Sequence, residues 1–161
     1  MASLSETNLV CCPEFDPSLW DDKVFVWENK RFIKDRVCTI LYMPINFGKV
    51  MVRLNKVLTK AEMVSPDWLC LSEHTSSWNM DIYLAVDKEI QGVENVAFSG
   101  NFYCKVYEGS YNNTGKWIKD FEQILKSKGF DKKRLLMWYT TCPKCAKKYG
   151  KNYVAIMSQV G

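Results

Sequence analysis

The feature that most constrains this chain is a strand–helix–strand–strand pattern that occurs twice. A strand-like run at 37–43 precedes an amphipathic helix at 48–61 and two further strand-like runs, 68–73 and 78–86. The same order occurs again later in the chain, with the strand at 102–109, the helix at 115–128 and two final strand-like runs at 134–141 and 152–160. A chain with this order has few ways to bury its apolar faces.

The two helices match in detail. Each begins with a Gly-Lys pair, Gly48-Lys49 and Gly115-Lys116. Each then carries one apolar stripe at helical spacing, formed by Val50, Met51, Leu54, Val57 and Leu58 in the first and by Trp117, Ile118, Phe121, Ile124 and Leu125 in the second. We therefore predict two copies of a β-α-β-β unit, 36–90 and 100–161, with chance similarity as the alternative.

Two such units side by side predict an α+β fold. Neither unit is large enough to bury a sheet face and a helix stripe alone, so the copies are expected to share one antiparallel sheet with both helices on one face. The other face is then free to form a ligand cleft between the two halves.

Residues 1–35 are predicted to be an arm that packs onto this domain at 36–161. Pro13 and Pro17 favour extended or turning chain, because the residue before a proline avoids the helical region. Trp20 and Trp27 lie in a stretch that is too apolar for a free tail, with room for a short strand at 23–27. The alternative is that one of these indoles lines a pocket.

The charge, the apolar runs and the cysteine count restrict the classes of partner and the compartment expected for this chain. A net charge of +4 with interleaved acids and no basic run argues against nucleic acid. No apolar stretch approaches the ~20 residues needed to span a bilayer, and no secretory signal is visible. Seven cysteines, an odd number, indicate free thiols in a reducing cytoplasm. No phosphate-binding glycine loop appears, so no cofactor is expected, and the oligomeric state is left open.

A carboxylate distinguishes the first strands of the two copies. Alignment of the copies places Glu108 opposite Met43, and strand alternation puts Glu108 on the same face as Val106. A carboxylate at the end of an apolar strand face is suited to general acid–base catalysis or to binding a cation. The aligned residues Tyr42 and Tyr107 are candidates for ligand contact, and the alternative is that Glu108 points into water.

Later strands and one helix supply the remaining candidates. Glu73 in the first copy stands where the second copy has Tyr139, which would donate a hydrogen bond to ligand. Trp78, at the start of a strand, either forms the base of the ligand cleft or packs in the core. Trp117 belongs to a helix stripe, where packing is expected, and is retained as a ligand candidate.

A Cys-x-x-Cys pair lies near the end of the chain. Cys142 and Cys145 have the spacing of a redox pair or of half a zinc site. Zinc would need the arm to bring Cys11 and Cys12 alongside. The plain alternative is a turn with free thiols and no metal.

Taken together, these motifs resemble the gyrase-inhibitor-like (GyrI-like) small-molecule-binding family, and more narrowly a stand-alone bacterial and archaeal subgroup labelled as hydrolases. The motifs that carry the resemblance are Lys105-Val106-Tyr107-Glu108-Gly109-Ser110-Tyr111, Gly115-Lys116-Trp117, Tyr139-Thr140-Thr141-Cys142-Pro143-Lys144-Cys145-Ala146 and Tyr149-Gly150-Lys151-Asn152-Tyr153. The resemblance implies a cleft between the halves in which a carboxylate among aromatic rings receives cationic or polycyclic compounds. Glu108 stands at that position here.

The resemblance also implies a function. Some stand-alone members hydrolyse strained, cyclopropane-bearing genotoxins, which predicts a hydrolase of reactive hydrophobic xenobiotics. Glu108 would activate a water, and Tyr139 would hydrogen-bond the oxygen that gains charge. The alternatives are a non-catalytic module that binds or senses cationic hydrophobic compounds, or a protein that docks on a larger enzyme as the gyrase inhibitor does.

Overall fold

The computed structural model of the chain describes residues 14–41, 43–63, 65, 69–140 and 147–160, without the side chains of 43 and 44. Within these ranges the main elements, in chain order, are β1 (Lys23–Ile40), β2 (Met43–Pro44), α1 (Phe47–Lys60), β3 (Cys70–Ser76), β4 (Asn79–Ala85), β5 (Glu94–Glu108), α2 (Thr114–Ser127), β6 (Leu136–Tyr139) and β7 (Tyr153–Gln159). The fold is α+β, and every strand pairing in it is antiparallel.

Pairing of the two longest strands closes the sheet into a barrel. β1 pairs with β4 along 32–38 and with β5 along 23–34, while β5 continues along β7 through 102–108. The strand order around the barrel is β1-β4-β3-β6-β7-β5 and back to β1. The predicted antiparallel sheet is confirmed, but its face opposite the helices, predicted to form a ligand cleft, is instead enclosed, because β1 and β5 extend far enough to pair with each other.

β1 begins well inside the segment that the sequence assigns to the arm. Its polar stretch from Glu28 to Arg31 interrupts the apolar alternation that marks a strand. The register shifts between Trp27 and Lys30, where Asn29 adopts a φ of 49°. A bulge of this kind bends a strand, and here it lets β1 follow the curve of the barrel.

Both helices pack on the outside of the barrel. The buried residues of α1 are Val50, Leu54 and Leu58, which lie in one cluster with outward side chains of β1 and β4. Those of α2 are Trp117, Phe121 and Leu125, which pack against outward side chains of β5, β6 and β7. The order β-α-β-β is thus seen twice, and an origin by duplication stays a prediction.

Large aromatic side chains fill the barrel interior. All six barrel strands contribute to one buried cluster whose rings are Trp27, Phe32, Tyr83, Phe98, Phe102 and Trp138. Aliphatic and thiol side chains, among them Leu71, Cys104 and Met157, complete it. The side of the sheet opposite the helices is therefore a packed interior.

Charged side chains close one end of this interior. Arg134 donates to both carboxylate oxygens of Glu73, at 2.9 Å and 2.7 Å, and to the Tyr83 hydroxyl at 3.1 Å. The Lys34 ammonium lies 3.5 Å from a carboxylate oxygen of Asp81. We call these residues, together with Glu94, which lies 3.4 Å from the same ammonium, the far-end ionic cluster.

The far-end ionic cluster should contribute measurably to stability. Arg134→Ala leaves the Glu73 carboxylate, only 19% exposed, without its charged partner, and we expect the free energy of unfolding to fall by about 2 kcal/mol. The paired variant Glu73→Gln/Arg134→Met, which removes both charges, should lose less. Urea unfolding followed by tryptophan fluorescence measures both, and a single variant as stable as the parent would contradict this role.

Candidate functional site

The arm forms a short, capped turn before it enters β1. The Asp16 carboxylate accepts hydrogen bonds from the Ser18 amide at 2.9 Å and the Ser18 hydroxyl at 2.6 Å. Proline at the first helical position suits the 3-10 turn Pro17–Leu19 that follows. This turn sets the positions of the two aromatic residues that flank it, Phe15 and Trp20.

Two carboxylates then fasten the arm to β5 and α2. Asp21 accepts the Val106 amide at 3.0 Å, and its carboxylate lies 3.2 Å from the Lys105 ammonium. Asp22, at a φ of 54°, accepts the Tyr103 hydroxyl at 2.5 Å. This hydrogen bond, with nearby Lys128, holds the pKa of Asp22 below its usual value. The arm is therefore tied to β5 at Tyr103, Lys105 and Val106.

The arm aromatic rings cover Trp138, the ring of the interior that lies nearest this end of the barrel. The centroid of Phe15 is 5.1 Å from that of Trp138, and the centroid of Trp20 is 4.8 Å from it, both edge to face. Phe15 also lies 5.6 Å from the ring of Tyr153. Trp138 itself is only 3% exposed, so the arm seals this part of the interior.

Glu108 lies at the same end. It is the last residue of β5, its backbone pairs with that of Tyr153, and alternation places its side chain on the barrel side with Val106 and Cys104. The side chain is exposed, and no described residue forms an ion pair or hydrogen bond with its carboxylate. We call Phe15, Trp20, Glu108, Trp138 and Tyr153 the arm-side mouth.

A cavity of about 350 Å³ adjoins the arm-side mouth. Its described lining is Glu14, Phe15, Asp16, Pro17, Tyr149, Lys151 and Tyr153. The lining thus combines three aromatic rings with two carboxylates and one ammonium group. With Glu108 nearby, the acids outnumber the bases, and the surroundings favour a flat ligand that is neutral or cationic.

Tyr139 does not share a face with Glu108. It belongs to the cluster beneath α2, where its hydroxyl lies 3.7 Å from the Met137 sulfur and its ring contacts Tyr111. Burial raises the pKa of its phenol. Its neighbour Trp138 faces the interior instead, so the sheet separates Tyr139 from Glu108 and the predicted pair is not brought together.

The phenol that does accompany Glu108 is Tyr153. Tyr153 is two and four residues before the interior residues Ala155 and Met157 in β7, so its side chain lies on the same barrel side as theirs. Phe15, Trp138 and Tyr153 were not singled out as candidates from the sequence. The alternation of β7 could have identified Tyr153, whereas the contact of Phe15 with Trp138 depends on the path of the arm.

Tyr107 and Trp117, predicted to contact ligand, lie on the outer side. Their rings stack at 5.7 Å between β5 and α2. The Tyr107 hydroxyl donates to Asp120 at 2.6 Å, and burial together with this bond raises the phenol pKa. These two rings hold the second helix onto the barrel.

The other candidates are dispersed. Glu73 belongs to the far-end ionic cluster, and Trp78 lies in the β3–β4 turn with 61% of its surface exposed. Tyr42 lies outside the described residues. So do the four cysteines of the zinc alternative, Cys11, Cys12, Cys142 and Cys145.

Within the described residues, no group of three or more His, Cys, Asp or Glu side chains could hold a metal ion, and no helix is long and apolar enough to cross a bilayer.

Comparison with known proteins identifies a family for the sequence and similar solved structures for the fold. A family model described as bacterial hydrolase matches residues 2–160. No curated protein sequence matches the chain. The solved structure of the EcmrR C-terminal domain is similar at a TM-score of 0.68 and 9% identity, covering 86% of this chain and 96% of that one. A hydrolase from Listeria innocua gives 0.61 and 10%, covering 88% and 93%. At these identities the likeness shows the fold alone, which is GyrI-like.

The attachment of the arm should depend on pH through Asp22. Because its folded pKa is depressed, its contribution is present above the unfolded value of about 3.9 and is lost as pH falls through the lower folded value. Carbon-detected NMR titration of the side-chain carboxyl should give a pKa below 3.9. Tyr103→Phe, which removes the donor, should raise it, and an identical pKa in both proteins would contradict the assigned hydrogen bond.

Proposed function

The chain belongs to the bacterial hydrolase family, and on that premise we propose that it binds a flat, hydrophobic, reactive small molecule at the arm-side mouth and hydrolyses it. One observation carries this proposal: an exposed carboxylate, Glu108, lies beside aromatic rings at the end of the barrel that the far-end ionic cluster does not occupy. A ligand that reaches the interior therefore enters past the arm.

The proposed reaction is addition of water to a strained three-membered ring. Glu108 accepts a proton from the water as the water oxygen bonds to a ring carbon. The ring carbon–carbon bond breaks, and its electron pair moves through the conjugated system to a carbonyl oxygen. That oxygen takes up a proton, so the net change is the addition of one water.

In this reaction Tyr153, in place of the Tyr139 predicted from the sequence, donates the hydrogen bond to the oxygen that gains charge. A hydrogen-bond donor assists when it faces the oxygen on which charge develops, and Tyr153 shares the barrel side with Glu108. Trp138 supplies the ring on which a planar substrate stacks, once Phe15 or Trp20, which lie edge to face against it, has moved aside. These residues replace the outer pair Tyr107 and Trp117 as the proposed ligand contacts.

The second candidate function is binding without turnover. The observation that favours it is the charge of the described cavity lining, which holds the carboxylates of Glu14 and Asp16 and the ammonium of Lys151, with Glu108 paired in the sheet to the lining residue Tyr153. A cationic aromatic compound would be held there by its charge, with Glu108 as counter-ion and no water activation.

Glu108→Gln separates the two candidate functions. We expect the variant to lose about a hundredfold or more in the rate at which a cyclopropane-bearing alkylator gains water, measured by mass spectrometry, because glutamine cannot accept the proton. Glu28→Gln, an exposed carboxylate on β1, is the matched control and should retain the parent rate. Weaker binding of a planar cation with no turnover by the parent would favour the binding module.

The arm should control entry to the site. Because Phe15 and Trp20 cover Trp138, a planar compound that stacks on Trp138 must displace one of these rings. Phe15→Ala is therefore expected to raise the association rate of such a compound severalfold in stopped-flow fluorescence quenching. Leu19→Ala, an exposed residue of the same arm, is the control. An unchanged or lower rate in Phe15→Ala would show that the arm does not gate the site.

A further inference from the structure

The solvent-facing side of α1 carries only basic charges. Four cationic residues lie on it at helical spacing: Lys49, Arg53, Lys56 and Lys60. At about 100° per residue they fall within an arc of roughly 60° and extend about 17 Å along the axis. We call these four residues the α1 basic row.

Local ion pairs neutralise little of the α1 basic row. Arg53 donates to both carboxylate oxygens of Asp35 at 2.7 Å. No described carboxylate forms an ion pair with Lys49, Lys56 or Lys60, and the helix itself contains no acid. Like charges three and four residues apart destabilise a helix, so this helix retains a repulsion that an acidic partner would relieve.

The beginning of α1 adds to the positive field. No acidic residue occupies the first turn, and Lys49 lies there against the positive end of the helix dipole. The side chain of Asn46, at the N-cap, accepts the Cys38 amide at 2.8 Å instead of capping the helix. The helix end therefore stays electropositive.

The second helix shows that the fold does not require such a surface. α2 has the same length and also packs on the outside of the barrel, but its exposed side mixes Lys116 and Lys119 with Asp120 and Glu122. Asp120 accepts the Tyr107 hydroxyl, and Glu122 pairs with Lys132 at 2.7 Å. The uniform charge of the α1 basic row is thus a property of one helix.

Apolar side chains flank these cations, one on each side of the row. A shallow cavity of about 430 Å³ is lined by the α1 basic row together with Val52 and Val57. Val52 is 53% exposed, although it belongs to a helix whose apolar stripe is otherwise directed inward. A row of cations with an apolar side chain on either side fits a ligand that presents both carboxylates and apolar side chains.

From these observations we infer that the α1 basic row is a docking surface for an acidic segment of a partner protein. The flanking valines favour protein over nucleic acid, because phosphate groups make no contact with apolar side chains that would stabilise binding. A bilayer is disfavoured because the apolar stripe of α1 is buried in the protein and cannot insert. The site is separate from the arm-side mouth and independent of hydrolysis.

Binding of a defined acidic peptide tests this inference. The probe is a fluorescein-labelled amphipathic helix of glutamate and leucine, titrated by anisotropy at about 0.15 M ionic strength. Reversal of Lys49, Lys56 and Lys60 to glutamate should weaken binding about tenfold or more. The matched variant that reverses Lys116, Lys119 and Lys126 on α2 makes the same change in net charge and should bind as the parent does.

Further measurements distinguish binding at the α1 basic row from nonspecific attraction between opposite charges. Val52→Ser, which removes an exposed apolar side chain beside the row, should weaken peptide binding. Circular dichroism verifies folding, and Lys→Gln at the same three positions of α1 serves if the reversed variant fails to fold. No peptide binding, equal loss in the α1 and α2 variants, an unchanged affinity in Val52→Ser, or tighter binding to duplex DNA or to phosphatidylglycerol vesicles would each overturn the inference.

Discussion

The pairing of β1 with β5 is the contact on which the rest of the structure depends. An antiparallel sheet of this size could stay open, with one face toward solvent. Here the two long strands meet along 23–34 and 94–104, and every inward side chain then shares one enclosed space. That space is filled by aromatic rings, so any site on the barrel side must lie at an end of the barrel.

The two ends of the barrel have different chemistry. At one end, Glu73 and Arg134 pair beside Lys34 and Asp81, and the charges satisfy one another. At the other, rings of the arm cover Trp138 while the Glu108 carboxylate stays exposed. Paired charges stabilise a fold, whereas an unpaired carboxylate among rings is available for chemistry. This difference, more than any single residue, is why the proposed site is placed at the arm-side mouth.

Local features of the fold could be predicted from the sequence. Both helices are found within about a residue of their predicted limits, because an apolar stripe at helical spacing is a strong and local signal. The side of the sheet that Glu108 shares with Val106 also follows from alternation alone. Closure of the barrel could not be predicted, since it depends on residue pairs 60 to 81 positions apart in sequence. In addition, polar residues 28–31 interrupt the strand pattern of β1.

The proposed site could be predicted only in part. Glu108 is a candidate from the sequence because the two copies differ there, but comparison of the copies does not show which face of β6 is directed inward. Tyr139, predicted to face the ligand, therefore lies beneath α2, while its neighbour Trp138 faces the interior. The contribution of Phe15 depends on how the arm is tied by Asp21 and Asp22, which no local pattern reveals.

The central claim is that ligands bind on the barrel side, at the end covered by the arm. The indole N–H signals of the tryptophans report on this directly. Trp20 and Trp138 lie at that end. Trp117 lies on the buried face of α2, and Trp78 lies in an exposed turn. Titration of the ¹⁵N-labelled protein with a planar aromatic compound should shift the signals of Trp20 and Trp138 and leave those of Trp117 and Trp78 in place. Shifts confined to Trp117 or Trp78 would contradict the account.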